Sequence, residues 1–299
     1  MRPAPAAGSI PRIDTARPNE TGGRPLAATT TVDGPRGRRV VTARPDAPAD
    51  GPVRDVLVDP ERFVPAPRKR SHEEKLEKRR AVYSFEREID GAPVRLYLKL
   101  YRPASPKEAL EEIVFGRRAF RSLRCALEAE RRGVGVAHHY GASAPAASRL
   151  RRVTSVLLMR GLPHGADVRT VLKHEHPPGS AGRRRFLDAL GAFAGDVHRR
   201  GLVHADLKLR NVFVVDAVAP RFALIDLDRS SFPRPGGLRA CVGESLDVRR
   251  LLRSMDDGDE RSSRAERRRV LAAWLRRRGL SRAARRRRLR LLAVLGALG

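Results

Sequence analysis

The sequence has few of the residues that build disulfides or metal clusters, and it has no long apolar run. Its 299 residues include only two cysteines, Cys125 and Cys241, which lie far apart and without metal-ligand spacing. This excludes a disulfide framework and predicts a reducing compartment. No stretch approaches the ~18 consecutive apolar residues of a membrane span, and the N-terminus lacks the apolar core of a signal peptide. We therefore expect a cytoplasmic protein.

Acidic residues are scarce beside basic ones. Asp and Glu total 34 against 62 Lys and Arg, which leaves a formal net charge of +28 at pH 7. Such a charge favours polyanionic partners, whether nucleic acid, an anionic membrane surface or a phosphorylated substrate. Charge alone does not choose among them, because arginine runs such as residues 285–288 are also typical of solvated helix faces.

Composition divides the chain into a tail and two lobes. Residues 1–52 are dense in Pro, Gly, Ala, Thr and Arg without apolar periodicity, which predicts a disordered tail. Residues 53–159 are predicted to form a small strand-rich lobe, and residues 160–299 a helical lobe. The fold class is therefore α+β with two lobes.

Local patterns predict the main elements of the strand-rich lobe. Residues 81–101 indicate two strands joined at Asp90 and Gly91, a pair suited to the positive φ angles of a tight hairpin turn. Residues 105–133 predict one long helix, or two helices broken near Gly116. Residues 153–162 then predict a buried strand.

The segment "HADLKLRN" lies between a predicted amphipathic helix and a predicted hairpin. It fits the kinase-like pattern H-x-D-L-x-x-x-N, in which Asp206 receives the proton of the acceptor hydroxyl and Asn211 holds a metal ion. Asp226 follows where the metal-binding aspartate of the next loop belongs, and Lys208 can reach the transferred phosphoryl group. His204 either braces this loop or takes part in acid/base catalysis.

Further residues are expected to bind the nucleotide and its metal. Lys99 ends the predicted hairpin, where it would contact the α and β phosphates of ATP. Met159, Gly161 and Leu162 lie where the strand that joins the lobes would meet adenine. Asp228 either assists Asp226 at a Mg²⁺ ion or pairs with a neighbouring arginine and orders the loop.

Four segments carry a resemblance to a known family: "VRLYLKLYR", "LLMRGLPHGADVRTVL", "VHADLKLRNVFV" and "FALIDLDRS". Together they resemble the lipopolysaccharide core kinase (Kdo/WaaP, InaA-like) family over about residues 80–255. The resemblance implies a bacterial protein with a protein kinase-like fold. It also implies phosphorylation of sugars of the lipid A inner core at the cytoplasmic side of the inner membrane.

Two departures from a typical kinase accompany this resemblance. No Gly-x-Gly-x-x-Gly loop precedes Lys99, and the corresponding residues 66–80 are highly charged. The helix glutamate that pairs with the strand lysine is also ambiguous. Four glutamates of the predicted helix are candidates: Glu111, Glu112, Glu128 and Glu130. We choose Glu128 as the predicted partner.

The leading functional hypothesis is an ATP-dependent and Mg²⁺-dependent phosphotransferase. Its acceptor would be a sugar hydroxyl of a lipopolysaccharide core or a similar acidic glycolipid, because Arg229, Arg234 and Arg239 suit an anionic acceptor and no Ala-Pro-Glu platform for a peptide follows Asp226. Peripheral contact with an anionic membrane is a further expectation, and nucleic acid is disfavoured. The alternatives are an atypical small serine/threonine protein kinase and an inactive kinase fold that binds polyanions.

Overall fold

We describe a computed structural model of the protein. Eleven stretches of the chain are described: 27–34, 37–47, 51–63, 73–77, 80–103, 105–114, 117–146, 155–162, 166–216, 218–256 and 262–296. Within them, no helix is both long and apolar enough to cross a membrane.

The described residues of the first half of the chain form one antiparallel sheet of seven strands. Its strands are β1 (Ala28–Gly34), β2 (Gly37–Ala43), β3 (Glu73–Glu77), β4 (Arg80–Ile89), β5 (Ala92–Tyr101), β6 (His139–Pro145) and β7 (Ser155–Arg160). Their order in the sheet is β1-β2-β6-β7-β5-β4-β3. The predicted β7 is therefore confirmed, and it lies at the centre of the sheet beside β5.

The β4–β5 hairpin forms where the sequence predicted it. Asp90 and Gly91 both have positive φ, 52° and 76°, which matches the twist of a two-residue hairpin turn. Along β5, Leu96 and Leu98 are fully buried in a core on one face of the sheet. Because side chains alternate along a strand, Lys99 lies on the opposite face.

The predicted disordered tail is wrong for residues 28–34 and 37–43, which form β1 and β2, while residues 1–26, 35–36 and 48–50 lie outside the described residues. Strand β2 pairs with β6, and helix α1 (Pro52–Val58) packs on one face of the sheet, in the core that contains Leu96 and Leu98. A Cβ atom at Gly141 would lie 2.8 Å from both Leu57 and the backbone oxygen of Thr42. The sequence pattern missed β1 because its side chains are mostly exposed, so they carry no apolar alternation.

Two helices connect β5 to β6, as one of the two sequence hypotheses expected. They are α2 (Pro106–Val114) and α3 (Arg118–Arg131), and Gly116 between them lies outside the described residues. Helix α3 packs on the sheet face that carries Lys99, through a cluster that includes Leu123 and Tyr101.

The part of the second half that the structure describes is helical around one short hairpin. It consists of α4 (Val168–His174), α5 (Ala181–Arg199), β8 (Val212–Asp216), β9 (Arg221–Leu224), α6 (Leu238–Ser254), α7 (Arg264–Arg278) and α8 (Arg282–Val294). Ser180, Ser263 and Ser281 cap the N-termini of α5, α7 and α8 by accepting backbone N–H groups. Helices α5 and α7 cross closely, and a Cβ atom at Gly191 would lie 2.3 Å from the backbone oxygen of Val270.

Candidate active site

The loop that carries the His-x-Asp motif runs from the end of α5 to the start of β8, and His204 braces it. His204 is fully buried. Its Nε2 lies 2.9 Å from the carbonyl oxygen of Ile225, and its Nδ1 accepts the backbone N–H of Asp206 at 3.3 Å. This pattern fits a neutral ring with the proton on Nε2. Both ring nitrogens are therefore engaged, Nδ1 within the loop and Nε2 with the residue before Asp226, which favours the bracing role over acid/base catalysis.

Three polar side chains of the motif converge on one another. Lys208 Nζ donates to Asp206 Oδ2 at 3.0 Å. The Asn211 amide nitrogen donates to the backbone oxygen of Asp206 at 2.8 Å and to Asp206 Oδ2 at 3.1 Å. The Asn211 amide oxygen is thereby directed away from Asp206. About a third of the Asp206 side chain is exposed, so an acceptor can reach it.

The β8–β9 hairpin places Asp226 beside this loop. Val212, which begins β8, pairs with Leu224, which ends β9, so Asn211 and Asp226 flank the same end of the hairpin. The backbone N–H of Ile225 donates to the backbone carbonyl oxygen of Asn211 at 3.1 Å. Asp226 has φ 60° and ψ 56°, a left-handed conformation that is strained for a residue other than glycine. Such strain clusters at functional sites.

Lys99 joins the sheet to the Asp226 loop. Its Nζ lies 2.5 Å from Asp226 Oδ1 and 3.1 Å from Asp228 Oδ2. Asp228 also accepts the hydroxyl of Tyr101 at 2.5 Å. The Asp226 side chain is 26% exposed, whereas that of Asp228 is 3% exposed. The structure thus brings the predicted Lys99, Asp226 and Asp228 together, with Asp228 as the deeper of the two carboxylates.

Glu128, the helix glutamate predicted to pair with Lys99, has other partners in the structure. Glu128 pairs with Arg131 and Arg132, its neighbours one turn along α3, at 2.7 Å and 2.6 Å. Hydrogen bonds from these arginines, Arg131 first, lower the pKa of Glu128 to about 2. The predicted pair of Glu128 with Lys99 is therefore not formed in this structure, because the carboxylate is taken by nearer cations on its own helix.

The residues expected near adenine lie where the chain leaves the sheet. Met159 is partly buried near the end of β7 and packs against the cluster under α3. The backbone N–H of Gly161 donates to the Arg95 oxygen at 2.7 Å, and a Cβ atom there would meet that oxygen and the Tyr97 ring at 3.1 Å. Leu162 follows, partly buried. Glycine thus allows the connection to pass close to β5.

A buried network behind the loop was not predicted from the sequence. Asp247 of α6 is fully buried, and its Oδ2 accepts the backbone N–H of His204 at 2.7 Å. His198 Nε2 lies 3.4 Å from the same oxygen, and Trp274 of α7 donates to His198 Nδ1 at 2.8 Å. The available signal was an acidic residue on the buried stripe of α6, one turn before Leu251.

A mixed fold of sheet and helices in which a lysine of the sheet contacts the Asp226 loop, and in which that loop lies beside the His-x-Asp loop, is typical of the kinase-like class of phosphotransferases. Within this class the chain belongs to the lipopolysaccharide kinase (Kdo/WaaP) family, whose profile matches residues 66–274. The family and the kinase activity predicted from the sequence are confirmed.

The fold is similar to that of a solved structure described as WaaP in complex with acyl carrier protein. The similarity covers 75% of this chain and 85% of that chain, with a TM-score of 0.54 and 20% sequence identity. At this identity the comparison supports the fold alone, and it confirms the predicted kinase-like architecture. No curated protein matches the chain.

Proposed function

We propose that the protein transfers the γ-phosphoryl group of ATP to a sugar hydroxyl of a lipopolysaccharide core or a closely related acidic glycolipid. The observation that carries this proposal is the contact of Lys99 with Asp226, which unites the nucleotide-facing sheet with the loop next to Asn211. Membership of the lipopolysaccharide kinase family supports the acceptor class.

The donor set of the site fits Mg²⁺. Asp226 and Asn211 offer a carboxylate and an amide oxygen, the hard oxygen ligands that Mg²⁺ prefers. The described residues contain no group of three or more His, Cys, Asp or Glu side chains that could hold a metal. Kinase sites typically bind Mg²⁺ through one or two protein carboxylates together with substrate phosphates, and Mg²⁺ bound there would neutralise charge on the phosphates of ATP.

The remaining residues divide the chemistry between proton transfer and charge stabilisation. Asp206 would accept the proton of the acceptor hydroxyl as general base. Lys208, held 3.0 Å from Asp206, would place its charge near the transferred phosphoryl group. Lys99 would hold the α and β phosphates, and Met159, Gly161 and Leu162 would line the adenine site.

The loop after Asp226 is short and basic. Helix α6 already begins at Leu238, and three arginines are exposed: Arg229 and Arg234 in the loop and Arg239 in the first turn of α6. Guanidinium groups form charge-assisted hydrogen bonds with carboxylates and phosphates, so this loop suits an anionic sugar better than an extended peptide.

The acceptor proposal is tested by replacing both Arg234 and Arg239 with Ala. We expect the KM for the glycolipid to rise by about tenfold, while the KM for ATP stays unchanged. A matched control replaces Arg184 and Arg185, two adjacent exposed arginines of α5, and should leave both constants unchanged. Unchanged glycolipid KM in the loop variant would reject these arginines as the acceptor site.

Peripheral contact with an anionic membrane would rest on α8. Arg282, Arg286 and Arg290 recur every four residues on its exposed side, and none of them forms an ion pair with a described residue. The opposite side is held to α6, where Arg288 binds Glu244 at 2.8 Å. Binding to anionic vesicles that weakens with rising salt, and that the triple Ala variant loses, would support this contact.

A further inference from the structure

We propose that Asp228 is the carboxylate that anchors Lys99, in place of the helix glutamate that performs this task in protein kinases. The inference rests on the proposed function, because it assigns a positioning residue in the same nucleotide site. It also gives a new role to Asp228, which the sequence left as either a second metal ligand or the partner of a neighbouring arginine. Asp226 would bind the metal ion, and Asp228 would hold the Lys99 ammonium group in position.

The first observation is the chemistry of the α3 face that lies against the sheet. The buried residues of this helix are small or apolar: Ala119, Ser122, Leu123, Cys125, Ala126, Leu127 and Ala129. None of them is acidic. The two glutamates at the end of α3 are bound to arginines, Glu128 to Arg131 and Arg132 and Glu130 to Arg44. Helix α3 therefore presents no carboxylate to Lys99.

The second observation is the pair of hydrogen bonds that hold the Asp228 carboxylate in place. Its Oδ2 accepts from Lys99 at 3.1 Å and its Oδ1 accepts from the Tyr101 hydroxyl at 2.5 Å. Tyr101 is itself 1% exposed, and its ring lies 5.1 Å from Lys99 Nζ. Lys99 and Tyr101 are two residues apart on β5 and so share one face. One rigid strand thus supplies both the lysine and the hydroxyl that orients its carboxylate.

The third observation is the difference between the two aspartates. Both accept from Lys99, Asp226 at 2.5 Å and Asp228 at 3.1 Å, but Asp226 retains 26% exposure and stands beside Asn211, whereas Asp228 retains 3% and is also bound by Tyr101 of the same strand. A Mg²⁺ ion that keeps water and phosphate ligands needs an accessible carboxylate. A lysine anchor needs a buried one, because a low local dielectric strengthens the charge-assisted hydrogen bond.

This arrangement has a consequence for regulation. In protein kinases the lysine is anchored by a glutamate on a mobile helix, and activation controls whether that pair forms. Here the anchor lies two residues from Asp226 in the same loop and is held by a tyrosine of the lysine's own strand. The pair would therefore form without any displacement of α3, and the enzyme would be assembled for catalysis constitutively.

The test compares Asp228→Asn and Tyr101→Phe with Asp226→Asn, and uses Glu128→Gln as the matched control. Binding of Mn²⁺ is measured by electron paramagnetic resonance in the presence of a non-hydrolysable ATP analogue. We expect Asp226→Asn to weaken Mn²⁺ binding by more than about tenfold, and Asp228→Asn to change it by less than about threefold. Glu128→Gln should behave as the wild type.

Steady-state kinetics supply the second readout. Asp228→Asn should raise the KM for ATP by about tenfold and leave the KM for the acceptor unchanged, and Tyr101→Phe should shift the same constant by a smaller factor. Because the two residues act as a unit, the double variant should be no worse than Asp228→Asn alone. A general loss of structure would move both KM values, and circular dichroism of each variant checks the fold.

Equal loss of Mn²⁺ binding in the Asp226→Asn and Asp228→Asn variants would overturn the inference in favour of two metal ligands. A rise in the KM for ATP in Glu128→Gln would overturn it in favour of the helix glutamate. These outcomes are separate from failure of the proposed acceptor, because Mn²⁺ and nucleotide binding do not depend on which molecule is phosphorylated. A wild-type protein that binds no nucleotide would overturn both.

Discussion

Acidification should destabilise the fold through His139, which lies next to the proposed nucleotide site. His139 is fully buried at the start of β6, opposite Met159, and its Nδ1 lies 2.5 Å from the Ala137 carbonyl oxygen. Its Nε2 has no hydrogen-bond partner among the described residues. Burial, reinforced by the positive charges of Lys99 and Arg44, lowers the pKa of His139 to about 4.

The size of the effect follows from linkage. Because the unfolded chain binds the His139 proton with a pKa near 6.5, the stability from the neutral ring is complete above that value and is lost as the pH falls toward about 4. Between about pH 7.5 and about pH 5 this single histidine should remove about 2 kcal/mol from the free energy of unfolding.

Urea unfolding at the two pH values measures this loss. His139→Asn keeps a donor for the Ala137 oxygen and removes the titrating ring, so its pH-dependent loss should be smaller than that of the wild type by about 2 kcal/mol. His174→Asn, at an exposed site on α4, should change the loss by less than about 0.5 kcal/mol. Equal losses in the wild type and in His139→Asn would refute the reasoning.

Three further predictions concern packing, thiol reactivity and nucleotide binding. Gly191→Ala should lower the free energy of unfolding in urea by about 1–3 kcal/mol, because the new methyl group would clash with a backbone carbonyl of α7. Gly182→Ala, near the start of α5, should be tolerated. Equal stability of the two variants would contradict the close crossing of α5 and α7. A thiol reagent at neutral pH should label the partly exposed Cys241 and spare Cys125, whose pKa burial raises to about 12, and equal labelling rates would contradict this burial. Lys99→Met should weaken ATP binding measured by calorimetry, and Lys99→Arg should not restore it fully, because the site holds a compact ammonium group. Unchanged ATP affinity in both variants would show that Lys99 does not contact the nucleotide.

The arrangement of the His-x-Asp motif and the β4–β5 hairpin could be predicted because their signals are local. Asp90 and Gly91 specify their turn through φ angles, whatever the rest of the chain does. The spacing of Asp206, Asn211 and Asp226 similarly reflects a loop and a hairpin that follow one another along the chain. Local residues therefore sufficed for these parts of the site.

The partners of these residues could not be predicted in the same way. Whether Lys99 meets Glu128 or Asp228 depends on how α3 rotates and on which arginines lie closer, and neither appears in residue spacing. Asp247 reaches His204 from another helix, across 43 positions of the chain. Strand β1 escaped prediction for a different reason, since an exposed edge strand needs no apolar alternation.

Transfer of labelled phosphate is the most direct test of the central claim. The protein is incubated with γ-labelled ATP and Mg²⁺, together with either lipopolysaccharide core glycolipid or a generic protein substrate. We expect label in the glycolipid alone, abolished by Asp206→Asn and retained by Asp216→Asn, which alters a partly exposed aspartate at the end of β8. Label in the protein substrate alone, or glycolipid labelling that Asp206→Asn leaves undiminished, would contradict the account.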